Sequence, residues 1–587
     1  MAEQRLEELD QPTTQSSRLP KVTIDHLWLA VPIALTAGFG FLLKLRLVDF
    51  WWHLKAGEVI VTTRSIPKTD LFSFTAAGHP FILQNWLAEV IYYASYRAGG
   101  LALIVALNAM LLVAALLPVY HLCRQATSSI KLSVLSALLP AVLLLYFGSV
   151  RSQVFSFALF SAFYWVLSSY RSRQRDLLWT LPLMTIVWVN LHGAFVLGLG
   201  LIVLFLVCEL ARRIAYADTP DTLSSRELRR LGFFLVLSVL ATVVNPETYK
   251  IYAYIRAVAT NPASQALVLE WQPPRITELA GIILFYAPFF ITLLVMLGAS
   301  RKPALVDLVL VLTFSILGLS AVRNGVWFAL IAAPVVARYY STIDFSAVTL
   351  ALQRVRVGKA FVSWLAMRRE SAAPIRYRLN RQIAVFMLTI VILVTPWVYP
   401  HLGNPAFGNT LWETSTPVGA MDYIQQHAVQ GNIFHPQVYG DYLIWRVWPE
   451  QRSFIDGRVH LFDDSVVRDY RLAFNDQHWD ERLARYDIKY LLLSKDEDEN
   501  RMMIETAGAS DMWRLDYEDL VSVLFSRIEG VATSTAIGIQ SPAGRFDPKV
   551  DRGGIEASGL VKGRTCNGEG GAAYFEYPAP RHVGDSL

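Results

Sequence analysis

The chain has 587 residues, of which 54% are hydrophobic and 17% charged, and its formal net charge is +5. So apolar a composition excludes an ordinary soluble domain, and so modest a charge, gathered in a few loops, excludes a nucleic-acid-binding surface; both fit a protein that crosses a lipid bilayer many times. Three cysteines, Cys123 and Cys208 in or beside apolar runs and Cys566 near the end, exclude a disulfide framework and a cysteine-based metal site.

Residues 1–26 are polar and mixed in sign, which suits a cytoplasmic tail. The apolar run that follows is too long for a signal-peptide core and lacks a small-residue cleavage site, so it is expected to stay as an anchor. Runs long enough to cross about 30 Å of hydrocarbon, or nearly so with tilt, are predicted at 27–47, 101–122, 132–149, 154–170, 177–190, 194–211, 231–245, 279–298, 304–321, 326–340 and 382–400. Lys and Arg mark cytoplasmic loops. The segment from Arg354 to Arg381 carries eight basic residues against Glu370 alone, and smaller clusters lie at Arg171–Arg175, Arg212–Arg230 and Arg301–Lys302. Alternation then places the amino terminus inside and everything beyond Pro400 outside.

The first external loop contains two amphipathic stretches, Gly57–Ser65 and Trp86–Tyr96, which are expected to lie in the membrane interface. Between them, Pro67-Lys68-Thr69-Asp70 and Ala77-Gly78-His79-Pro80 are turn chemistry. Beyond Pro400 the hydrophobic runs shorten, and residues 401–530 read as a small extracytoplasmic α/β domain. Its expected helices are Thr416–His427 and Asp480–Tyr486, and its expected strands Asn432–Phe434, Arg452–Ile455 and Lys489–Ser494. Residues 531–587 are rich in Gly, Ala, Ser and Pro without periodicity, which predicts a disordered tail.

With this orientation, the polar residues that interrupt or flank apolar runs fall mostly on the external face. Ionisable groups gain nothing from hydrocarbon, so several of them at one face suggest a polar cavity there. Asp49 and His53 are four residues apart and share a face if the helix continues, which would join a carboxylate base to an imidazole. The same pair also fits a helix-end carboxylate and an interfacial imidazole beside the belt tryptophans Trp51 and Trp52. Arg151-Ser152-Gln153 precedes the fourth run, and Arg323-Asn324 the tenth; a guanidinium at a helix amino terminus suits a phosphate, or simply the headgroups. Asn190 and His192, in a tight turn, would bond sugar hydroxyls or cap a hairpin. Glu270 with Trp271 offers an acceptor and a stacking ring. In the α/β domain, Tyr439-Gly440-Asp441-Tyr442 stands out, as does Phe454-Ile455-Asp456-Gly457-Arg458, where Asp456 and Arg458 sit at an Asp-Gly turn.

These features resemble the GT-C superfamily of polytopic membrane glycosyltransferases. The resemblance rests on Asp49 at the outer end of the first run, a long first loop with two interfacial helices, and many spans followed by an external domain. More closely, Asp49-Phe50-Trp51-Trp52-His53-Leu54 with Gly57, Pro67-Lys68-Thr69-Asp70, Phe72-Ser73 and Asn85-Trp86-Leu87-Ala88-Glu89 are similar to a group of bacterial GT-C-like membrane proteins. The resemblance spans about residues 27–500 and implies an α-helical polytopic fold in a bacterial inner membrane. It also implies a polyprenyl-phosphate-linked sugar donor and a glycan, lipid or protein acceptor in the envelope. It leaves room for a divalent metal, although Phe50 follows Asp49 where some members carry a second acidic residue.

The expected mechanism is inverting transfer, with Asp49 taking the acceptor proton, His53 tuning it, and Arg151 with Arg323 neutralising the departing phosphate. Trp51 and Trp52 would stack on the sugar or hold the isoprenoid. A non-catalytic lipid-sugar-binding or assembly protein of polysaccharide export is the rival reading. A transporter fits less well, since ionisable groups are scarce at mid-membrane.

Overall fold

A computed structural model describes residues 21–216, 222–262, 269–344, 346, 354, 377–403, 408–475 and 478–528. Most of the predicted basic segment Arg354–Arg381, most of the polar tail 1–26 and all of the tail 531–587 lie outside these residues.

A helix lies at each of the eleven predicted runs. In chain order they are α1 (Ile24–Leu42), the second half of α3 (Trp86–Ala126), α4 (Ile130–Tyr146), α5 (Gln153–Arg171), α6 (Thr180–Leu191), α7 (Phe195–Ala215), α8 (Ser225–Ala241), α10 (Leu279–Gly298), α11 (Leu305–Ser320), α12 (Gly325–Tyr340) and α13 (Tyr377–Leu393). Between them come α2 (Phe50–Thr63) and α9 (Ile251–Ala259). Among the described residues four helices, α1, α3, α7 and α10, are long and apolar enough to cross a membrane, while α4, α6 and α11 are shorter and apolar. Local chemistry fixes several starts. Ser224, for example, caps α8, accepting from the Glu227 backbone while the Glu227 carboxylate accepts from the Ser224 N–H at 2.7 Å.

Two expectations near the first loop change. The run predicted at 27–47 leaves the helix after Leu42, and Leu45 pairs in an extended bridge with Trp412. The stretch expected to lie in the interface, Gly57–Ser65, falls in α2, which starts earlier, at Phe50; its first part is buried, with Trp51, Trp52, Leu54, Ala56, Gly57, Val59 and Ile60 covered, while Val61 to Ser65 are exposed. The covered part of α2 is sandwiched between α3 and the residues beyond 410. Gly57 permits that contact, because a Cβ there would stand 2.1 Å from the Glu89 carbonyl oxygen. The second stretch is the first part of α3, which kinks at Gly99 and Gly100 before its apolar half.

Beyond α14 (Val418–Gln426) lies a four-stranded sheet in the order β1-β2-β4-β3. Its strands are β1 (Asn432–Phe434), β2 (Ile488–Ser494), β3 (Trp513–Glu518) and β4 (Ser522–Arg527). β1 runs parallel to β2, and the other pairs are antiparallel, with Leu491 opposite Phe525. Helices α15 (Gln437–Val447), α16 (Asp464–Ala473), α17 (Trp479–Leu483) and α18 (Asp498–Gly508) complete this layer. The predicted strand Arg452–Ile455 is not in the sheet; its Ser453 makes a single bridge to Ser73 of the first loop. One apolar core joins Trp52, Phe72 and Phe81 to Phe434 and Phe454, and a second joins Phe50, Trp51 and Tyr92 to Tyr439, Tyr442 and Leu492.

Candidate active site

Asp49 stands at the junction of these parts. The Phe50 N–H bonds back to the Val48 carbonyl, making a γ-turn centred on Asp49, whose φ is 49°. Such a conformation costs a residue with a Cβ about 1–3 kcal/mol and persists only where neighbours impose it. Here the Asp49 N–H donates to Asp441 Oδ2 at 2.8 Å, and Asp441 Oδ1 accepts from the Gly457 N–H at 2.9 Å. The helix does not run through Asp49, and the expected Asp49–His53 side-chain pair gives way to another. His53 Nδ1 lies 3.0 Å from Glu89 Oε1, both groups buried, and its link to Asp49 is through the backbone, N–H to carbonyl at 3.1 Å.

The two arginines differ in what they hold. Arg151 reaches from the loop before α5 to Asp49 Oδ2 at 3.7 Å, to Glu270 Oε1 at 2.7 Å and to Ser149 Oγ at 2.9 Å. Arg323 donates to Gln153 Oε1 at 2.6 Å and lies 5.0 Å over the Trp271 ring, with no carboxylate partner among the described residues. Arg151 is therefore balanced by two carboxylates, whereas Arg323 is a cation with donors to spare. Burial and the like charge of Arg151 bring Arg323 down to about 10, so it stays charged at neutral pH. Burial pushes the Asp49 carboxyl up, against the pull of Arg151; 31% of its side chain remains open, which tempers that shift. For Glu270, burial is outweighed by Arg151 and Arg323, and its carboxyl is held below the usual range.

Asp49, His53, Arg151 and Arg323 line a cavity of about 390 Å³. Its lining combines polar groups, among them Asp49, His53, Arg151, Gln153, His192, Arg323, Asn324, Arg458 and His460, with apolar ones, among them Val196, Leu197, Ile255, Val258 and Leu317. His192 Nδ1 accepts from the Ala194 N–H at 3.3 Å and faces the Ser156 hydroxyl at 2.9 Å, which leaves the ring proton on Nε2. Burial, with the positive charge of Arg323, holds its pKa at about 3, so the ring is a neutral donor.

Other predicted residues have packing tasks. Asn190 accepts from Trp86 Nε1 at 2.7 Å and donates to the Ile186 and Val244 carbonyls at 2.8 Å, which occupies both ends of its amide. Trp51 is buried edge-on against Tyr442, while Trp52 reaches the cavity wall. Asn324 donates to the Leu317 carbonyl at 3.2 Å. Asp456 and Arg458 form a buried cluster with Asp70: Arg458 Nη2 bonds Asp456 Oδ2 at 2.6 Å and Nη1 bonds Asp70, under the rings of Trp52, Phe72 and Phe81. Sequence reasoning assigned no task to Glu89, Asp441, Tyr254 or His460. The last two meet at 3.1 Å across the cavity wall.

The donor set does not fit a divalent cation. Asp49 and Glu270 both face Arg151, and among the described residues no group of three His, Cys, Asp or Glu side chains converges to hold a metal ion.

No family model and no curated protein matches the chain. Among solved structures it is similar to the archaeal oligosaccharyltransferase AglB from Archaeoglobus fulgidus, in complex with an inhibitory peptide and a dolichol-phosphate. The identity is 11%, over 86% of this chain and 74% of that one, at a TM-score of 0.49. It is similar to the arabinofuranosyltransferase AftD from Mycobacteria at 12% identity, over 86% of this chain and 42% of that one, at a TM-score of 0.49. It is similar to ArnT from Cupriavidus metallidurans bound to undecaprenyl phosphate at 12% identity, over 86% of this chain and 98% of that one, at a TM-score of 0.43. With TM-scores below 0.5, these likenesses say nothing of this chain's chemistry. All three are GT-C superfamily membrane glycosyltransferases, the proteins that the first-loop motifs resemble.

Proposed function

We propose that the chain is an inverting membrane glycosyltransferase that moves a sugar from a polyprenyl-phosphate-linked donor to a hydroxyl of an envelope glycan, lipid or protein. In this reading eleven helices cross the inner membrane of a bacterium, the amino terminus is cytoplasmic, and residues 401–530 cover the site on the outer face. One observation carries the reading: the Asp49 carboxylate stands 3.7 Å from Arg151 in the wall of a cavity that also holds Arg323.

The chemistry follows from that arrangement. Arg323, with Arg151 beside it, holds the donor phosphate, and the apolar lining residues take the first isoprene units. The acceptor oxygen bonds to the anomeric carbon as the bond from that carbon to the phosphate oxygen breaks, and the electron pair leaves on phosphate. The acceptor proton goes to Asp49, whose upward shift brings it closer to a useful base near neutral pH. A second carboxylate is unnecessary, because phosphate leaves without being protonated, unlike the leaving groups of glycosidases. His53, pinned by Glu89, fixes the first turn of α2 and with it the place of Asp49.

The test is transfer of labelled sugar from a polyprenyl-phosphate donor by purified protein. Asp49→Asn should lower the rate by about 100-fold or more at unchanged protein level. An Asp49→Asn protein that transfers as well as the parent removes the base. A parent that binds the donor and transfers nothing is a lipid-sugar-binding protein instead.

A further inference from the structure

We propose that Asp441 is a positioning residue for Asp49, and that the α/β layer thereby completes the active site. This rests on the reading that Asp49 acts on substrate.

Asp441 lies on α15, fully buried, 392 residues from Asp49 in sequence. Its two oxygens are used on two backbone N–H groups, those of Asp49 and Gly457. Seven Asp and Glu side chains are buried among the described residues. Asp70, Glu209, Asp307, Asp456 and Asp469 each face an arginine, and Glu89 faces His53. Asp441 alone among those seven has no basic partner. A buried carboxylate without a counter-charge is costly, and a neutral acceptor such as asparagine would hold one N–H as well. What the carboxyl adds is a second oxygen for a second N–H, and here the two hold a strained turn and the loop beside it at once, even though burial and the nearby Asp456 and Asp49 carboxylates push its pKa well up.

The surroundings are shaped for that grip. A Cβ on Gly457 would stand 2.6 Å from Asp49 Oδ1 and 2.9 Å from Asp441 Oδ2, and a Cβ on Gly440 would stand 2.2 Å from the Ile455 carbonyl. Both glycines let α15 and the 453–458 loop come close enough to share Asp441. The γ-turn at Asp49 aims its carboxylate off the axis of α2, toward Arg151. Without the grip the turn relaxes, and the carboxylate leaves the reacting centre while Arg151 and Arg323 stay.

The experiment compares Asp441→Asn and Gly457→Ala with the parent, per folded molecule. The expected result in both is a fall in kcat of roughly 10- to 100-fold, with KM for the donor changed by less than about threefold. A role in folding alone would lower protein yield and leave kcat intact. A second measurement does not depend on turnover: Asp49→Cys is labelled by a small charged methanethiosulfonate with Asp441 intact and with Asp441→Asn, and the modified peptide is quantified by mass. The labelling rate should differ between the two backgrounds. Parental kcat in either variant, or equal labelling rates, overturns the proposal. A parent that transfers no sugar sinks the reading of Asp49 as a base, and the labelling then decides the grip by itself.

Discussion

At the residue scale the site is a question of which charge each arginine is free to meet. Arg151 already answers Asp49 and Glu270, so the cation left for an incoming anion is Arg323, parked on the Trp271 ring. The two should therefore fail differently. Arg323→Gln should weaken donor binding by about tenfold or more while leaving Asp49 in place, because it removes a charge-assisted contact to phosphate. Arg151→Gln should depress both binding and kcat, because it also unbalances two carboxylates. Titration of a fluorescent polyprenyl-phosphate sugar, beside steady-state kinetics, separates the outcomes; equal effects of both variants on both quantities would contradict the division. Asp49, Arg151, Glu270 and Arg323 were singled out in the sequence because several polar residues at the ends of apolar runs fall on one face, and the structure brings these four together. The same logic flagged Asn190, which proves to be tied into its hairpin. Glu89 and Asp441 could not be assigned, since each sits inside an element and its partner lies 36 and 392 residues away respectively.

At the element scale the first loop is held to the α/β layer by the Arg458 cluster as well as by apolar contact. Arg458 is 1% exposed and shared between Asp70 and Asp456. Replacing it with alanine leaves two buried carboxylates unpaired, and such changes cost about 3–5 kcal/mol. Thermal unfolding in detergent should show a clear loss for Arg458→Ala and a smaller one for Asp70→Asn; a variant that melts with the parent would mean the cluster does not hold the loop. The helices were readable because their apolar runs are long and bounded by charge. The errors fell where periodicity is blind to tertiary partners. α2 reads as amphipathic but its first part is buried between α3 and the α/β layer, and Arg452–Ile455 reads as a strand but pairs only through Ser453 with the loop. β3 was missed although Trp513-Arg514-Leu515-Asp516-Tyr517-Glu518 alternates apolar and polar residues, and β4, Ser522–Arg527, is a short apolar run that only its pairing with β2 and β3 reveals as a strand.

At the scale of the whole molecule, charge gathers at two ends of the helix bundle. The site occupies one end. At the other, Arg171, Arg212 and Arg338 from α5, α7 and α12 neutralise Glu209 of α7 and Asp307 of α11, so four helices are tied where they would otherwise carry lone buried charges. Acid should loosen the site end. Burial holds His192 at about 3 and His435 and His460 at about 4, below the value near 6.5 that a free imidazole has. The unfolded chain therefore binds protons that the folded one refuses, and stability falls as pH drops from about 6.5 toward 4. Unfolding temperatures in detergent should be lower at pH 5 than at pH 7, and His460→Gln should narrow the gap; a gap of the same size in that variant would assign the acid sensitivity elsewhere. The most direct measurement of the central claim is a structure of the protein with a polyprenyl-phosphate-linked sugar bound. The account predicts the phosphate within about 3 Å of the Arg323 and Arg151 guanidinium groups, with the anomeric carbon facing Asp49. A phosphate lodged elsewhere, with Asp49 facing no part of the sugar, would contradict it.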